Sequence, residues 1–182
     1  MGQRLNIEIH ENGKCLANAY YHWSGYTETA LKLTNDILVK YNEIANESGL
    51  VAAIKLLQAT GAKVEYNELI DAGMSMDLAL VFSDGANRDD GLIAFSEKRM
   101  EETRVWEEGR VTIDIGTKIV NFDCWCRGEP EDWECSTFDN IEVPYFSYAI
   151  PFLDFYEFTI YIGNTVGRRY TFKDGAEYMG IY

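Results

Sequence analysis

The chain has 182 residues, 47 % hydrophobic and 25 % charged, which suits a folded globular protein with enough core for one domain. Its 30 acids against 16 bases give a net charge of −14. Such a surface repels nucleic-acid phosphates and attracts basic proteins, which argues against a free-standing DNA or RNA binder. Aromatic residues at 14 % exclude an acidic disordered tail, and no apolar run approaches the ~18 residues of a membrane span.

The opening MGQRLNIEI lacks the basic and apolar regions of a secretion signal, and Asn6 stands where a myristoylation signal needs Ser or Thr. The four cysteines, Cys15, Cys124, Cys126 and Cys135, are therefore expected as reduced thiols of a cytoplasmic protein. Gln3 to His10 alternates Leu5, Ile7 and Ile9 with polar residues, as a half-buried strand does. Asn12-Gly13 follows, a hairpin turn signal, and Cys15 to Trp23 is the expected partner strand. Thr27 to Ala45 carries an apolar stripe at helical spacing: Ala30, Leu31, Thr34, Ile37, Leu38 and Tyr41. Ser48 caps a second expected helix that stops at Gly61. The interval 62–83 carries no clear period, and within it Asp77 to Phe82 reads equally as a short buried helix or strand. The polar loop 84–91 is the one place for a subdivision of an otherwise single domain, 1–182. Leu92 to Phe95 reads as a strand, and Ser96 as the cap of a helix Glu97 to Glu108 ended by Gly109. Arg110 to Ile115 and Lys118 to Cys126 form a second hairpin, the latter with Ile119, Phe122, Cys124 and Cys126 inward. Residues 127–142 are a long loop, and Arg168 to Tyr182 is a last hairpin turning at Asp174-Gly175. The fold expected is α+β: a mainly antiparallel sheet of hairpins with about three helices packed on it.

Chemistry-bearing residues form several groups. Cys124, Cys126 and Cys135 could give three thiolates to a metal, with His10 or His22 as a fourth ligand. Structural zinc, however, prefers two residues between paired cysteines, and core thiols fit the single-residue gap better. His22 and Ser24 share a strand face, a weak hint of nucleophilic catalysis against an ordinary structural histidine. Asp90, Glu97 and Glu101 could converge on magnesium for phosphodiester cleavage; the alternative is a solvated helix start. No phosphate-binding glycine loop is present. Residues 123–142 hold seven acids and one arginine, a net of −6, interleaved with Trp125, Trp133 and Phe138. Acids that steer an encounter and rings that anchor it suit docking on a basic protein groove. Glu129, Glu131, Asp132, Trp133, Glu134, Asp139 and Glu142 are the expected contact surface; the alternative is a solubilising loop with its tryptophans in the core.

Three blocks, MGQRLNIEI at 1–9, LANAYYHWSGYTETAL at 16–31 and RDDGLIAFSEKRMEETRVWEEGRVTIDIG at 88–116, cover about a third of the chain. They resemble small prophage and mobile-element proteins of Firmicutes, a group that includes type II-A anti-CRISPR proteins, inhibitors of Cas9. The resemblance implies a phage protein of the bacterial host cytoplasm that binds Cas9 or the Cas9–guide RNA complex stoichiometrically and hinders DNA engagement. It carries over no catalytic residue, cofactor or metal. Cas9 holds nucleic acid in positively charged channels, which an acidic protein can occupy. The rival expectations are a metal-dependent nuclease that shortens guide RNA and an acidic phage accessory protein with no immune role.

Overall fold

A computed structural model of the chain describes residues 4–22, 27–45, 47–83, 91–105, 107–125, 137–138, 141–142, 145–157, 170–173 and 176–179. Strand β1 (Leu5–Glu11) turns at Asn12 and Gly13 into β2 (Lys14–Tyr21). Both turn residues have positive φ, 53° and 77°, which matches the right-handed twist of the two strands. Helices α1 (Thr27–Glu43) and α2 (Gly49–Gln58) follow, then β3 (Lys63–Val64), α3 (Tyr66–Asp71) and α4 (Met76–Ser83). Next come β4 (Gly91–Ala94), α5 (Glu97–Arg104), β5 (Gly109–Asp114) and β6 (Ile119–Trp125). Short pairs β7 (Thr137–Phe138) with β8 (Ile141–Glu142) and β10 (Tyr170–Lys173) with β11 (Ala176–Met179) flank β9 (Tyr145–Pro151), which runs into a 3₁₀ turn at Phe152–Asp154.

Seven strands form one sheet in the order β3-β4-β2-β1-β5-β6-β9. The expected hairpins β1–β2 and β5–β6 are present and antiparallel. The sheet is nevertheless mixed, which corrects the mainly antiparallel expectation: β1 pairs parallel with β5, and β3 pairs parallel with β4. The two hairpins are joined by the long connection through residues 22–108, and strands that meet after so long a crossover are free to run in the same direction. The helix number also differs from about three. The described residues hold five α-helices, the 3₁₀ turn and a further helical stretch at residues 155–157; two of the additional helices, α3 and α4, come from the unclear interval 62–83, which also contains β3.

Alternation decides which face is core. Leu5, Ile7 and Ile9 lie beside Tyr21, Ala19 and Ala17 on one side, and Ile7 and Ile9 beside Val111 and Ile113 on the other. Val120 and Phe122 continue that face on β6, so Val120 takes the inward place expected of Ile119. Helices α1 and α2 cover it with Leu31, Ile37, Ile54, Leu56 and Leu57, all buried. Each such side chain contributes roughly 1.5–3 kcal/mol by leaving water. Tyr21 is fully buried, and its hydroxyl is satisfied by Thr60 Oγ1, which in turn donates to the Leu57 carbonyl at 2.6 Å. Gly91 is forced by packing: a Cβ there would meet Ala62 Cβ and Tyr21 Cε1, each at 2.9 Å.

Helix α5 is shorter than Glu97 to Glu108. Ser96 caps it, accepting from the Arg99 N–H at 3.4 Å. The chain then leaves the helix because the N–H groups of Glu108 and Gly109 both donate to the Arg4 carbonyl, which starts the parallel pairing of β5 with β1. No helix among the described residues is long and apolar enough to cross a membrane.

Candidate functional site: a polar sheet face covered by helix α5

The residues between Leu5, Ile7 and Ile9 are Asn6, Glu8 and His10, and a strand sends them to the opposite face. Helix α5 lies over that face, so Asn6, Glu8 and Asn18 are buried and need partners. Asn18 donates from Nδ2 to Thr103 Oγ1 at 2.8 Å. Asn6 donates from Nδ2 to Glu107 Oε2 at 2.8 Å and to the Thr103 carbonyl at 3.2 Å. Glu107 also holds the Arg110 guanidinium. Asn18 Oδ1 is left without a hydrogen bond among the described residues.

Glu8 is the electrostatic centre of this face. Its side chain is 3 % exposed. Arg104 Nε donates to Oε1 at 2.6 Å, and His10 Nε2 lies 2.8 Å from Oε2. Burial alone would push the carboxyl upward. The hydrogen bonds from His10 and Arg104 and the nearby guanidinium charges outweigh it and hold the pKa at about 2. Glu8 is thus a fixed negative charge at any physiological pH.

Cys15 reaches the same place through a bulge. The β1–β2 register slips between Ile9 and His10, so His10 pairs with Cys15 while Ile9 pairs with Ala17. Suitable donor atoms of Glu8, His10 and Cys15 consequently lie within 4.8 Å of one another. Cys15 Sγ is also 3.6 Å from Met100 Sδ. Burial first, and then the Glu8 charge, push the thiol up to about 11, so without a bound cation it stays protonated and a poor nucleophile.

A groove of about 880 Å³ opens alongside, lined in part by Lys14, Cys15, Glu68, Arg99, Met100 and Arg104. Glu68 is 6 % exposed. Its Oε1 accepts from the Phe95 N–H at 3.3 Å, while Oε2 makes no hydrogen bond and lies 3.7 Å from Arg99 Nε. Arg99 is shared with Glu65, which accepts at 3.0 Å.

The expected contact residues Glu129, Glu131, Asp132, Trp133, Glu134 and Asp139 lie outside the described residues, and Glu142 stands on β8 with its backbone paired to Thr137. Asp90 is also outside them, while Glu97 and Glu101 are exposed one turn apart on α5. Of the cysteine set, Cys124 is on β6; Cys126 and Cys135 lie outside the described residues. The Tyr20 hydroxyl and His22 Nδ1 are 3.2 Å apart, and Ser24 falls outside. His10 instead meets Glu8 and Cys15, a grouping the cysteine count did not suggest. The Glu8-x-His10 spacing on a strand opposite a two-residue Asn-Gly turn was the available signal. No protein-family model, curated protein or solved structure matches the chain.

Proposed function

We propose that this chain is a stoichiometric inhibitor of a type II-A Cas9, which acts in the bacterial cytoplasm by binding the effector or its guide RNA complex and hindering DNA engagement. The observation that carries this reading is surface charge. Among the described residues ten acids are exposed against four lysines, and the whole chain carries −14. An acidic surface of this kind competes for a channel built to hold phosphates, and it speeds the encounter with a basic partner. The identity of that partner rests on the resemblance of residues 1–9, 16–31 and 88–116 to mobile-element proteins.

Within this reading, the densest acidic stretch, 123–142, is the contact surface, with Trp133 as its anchor. Replacing Glu129, Glu131, Glu134 and Asp139 with lysine changes the net charge of the chain from −14 to −6, at positions confined to that stretch. The expected result is loss of inhibition of Cas9 cleavage, with near-ultraviolet circular dichroism and the unfolding midpoint unchanged. Full potency in the folded variant would remove the stretch from the interface.

A further inference from the structure

We infer that Glu8, His10 and Cys15 form a zinc site, one ligand atom from each, independent of the Cas9 reading. Three observations carry it. First, the donor set is of the right chemistry. An imidazole, a thiol and a carboxylate suit zinc, whereas calcium and magnesium want oxygen alone. Second, the three donors already lie within 4.8 Å of one another, on two adjacent strands of the sheet. A tetrahedral zinc with ligands at ~2.0–2.3 Å separates its donors by roughly 3.4 Å. The ion therefore needs the Glu8–His10 contact of 2.8 Å to open by about half an ångström and Cys15 to move inward. Third, the β-bulge at Ile9 and His10 is the device that sets Cys15 opposite His10. Bulges recur where a strand must re-aim a side chain.

The surroundings are compatible with the ion. Arg104 holds Glu8 by Oε1, which leaves Oε2, now on His10, to take the metal. An outer partner of that kind fixes a ligating carboxylate in place. Binding replaces the Cys15 S–H bond with a sulfur–zinc bond and releases that proton to solvent. The Glu8 carboxylate and the Cys15 thiolate then balance the two positive charges of zinc, so Arg104 and Arg110 face a neutral centre. Cys15 also lines the groove of about 880 Å³, which gives the ion a path from solvent.

The test uses the full chain, reduced, stripped with EDTA and dialysed free of chelator. Zinc is titrated against a chromophoric chelator, and cobalt(II) is added as the spectroscopic probe. The expected result is one equivalent of zinc and a thiolate-to-cobalt charge-transfer band. Cys15→Ser loses the band, His10→Gln keeps it only at higher cobalt concentration, and both bind zinc more than about tenfold weaker, since each removes one of three protein ligands. A triple variant, Cys124→Ser, Cys126→Ser and Cys135→Ser, keeps both signals. Absence of zinc binding in the wild-type chain, a band that survives Cys15→Ser, or a band lost in the triple variant overturns the assignment. Circular dichroism on each variant separates loss of ligand from loss of fold.

Discussion

Arg104→Met removes the guanidinium from Glu8 while keeping much of the apolar stem of the last α5 side chain. Glu8 is 3 % exposed and Arg104 28 % exposed, with Nε 2.6 Å from Oε1. Breaking a fully buried pair by deleting one partner costs about 3–5 kcal/mol. Water reaches Arg104, so the loss here is about 2–4 kcal/mol at pH 7. The pH dependence isolates the mechanism. Glu8 is lowered from 4.5 to about 2 on folding. A depressed carboxylate stabilises the fold fully above its unfolded pKa, and that stabilisation is lost as pH falls toward the folded value. It amounts to about 3 kcal/mol at neutral pH, of which about 2 kcal/mol is gone at pH 3. In Arg104→Met the carboxyl titrates closer to its ordinary value, so less is lost. The stability gap between wild type and variant should therefore narrow by about 1–2 kcal/mol between pH 7 and pH 3. Urea unfolding of both proteins in EDTA, at several pH values across that range, measures the gap directly, and other acids cancel in the difference. A gap that stays constant or widens would show that Arg104 does not act through the ionised Glu8.

Two further substitutions test the packing. Gly91→Ala places a Cβ 2.9 Å from both Ala62 Cβ and Tyr21 Cε1, so chemical denaturation should show a loss of about 1–3 kcal/mol, whereas a neutral result would mean that β3 and β4 can move apart freely. Phe122→Ala empties a buried position beside Phe155, whose ring stacks at 6.1 Å, and should lower stability by about 3–5 kcal/mol by the same measurement; a loss below 1 kcal/mol would contradict the core assigned to β6.

The first hairpin was legible because its signals are local. Alternation of Leu5, Ile7 and Ile9 and the Asn12-Gly13 pair each follow from backbone geometry within a few residues. Helix α1 was legible from its stripe for the same reason. The pairing of β1 with β5 was not, because strands separated by some hundred residues leave no local mark of direction. Helix α4 hid for a different cause. Only Ala79 and Phe82 are buried, while Met76, Leu78, Leu80 and Val81 are exposed, so apolar residues surround it without forming a stripe. Of the polar site, the Glu8-x-His10 face was readable from period two. Cys15 was not, because a bulge shifts its register, and neither was Arg104, which arrives from α5 on the far side of the sequence. The acidic segment expected to dock a partner is a statement about charge, and charge is fully readable from composition whatever the backbone does.

The proposed activity is inhibition of Cas9 by binding without turnover. The purified chain is titrated into a fixed amount of Cas9–guide RNA complex with and without EDTA, guide length is read at that stage, and DNA cleavage is then followed after magnesium is restored in excess. Cleavage is expected to fall to a plateau near one inhibitor per effector, with the guide intact in both arms. Undiminished cleavage at large excess, or a guide shortened by substoichiometric protein in an EDTA-sensitive manner, would contradict it.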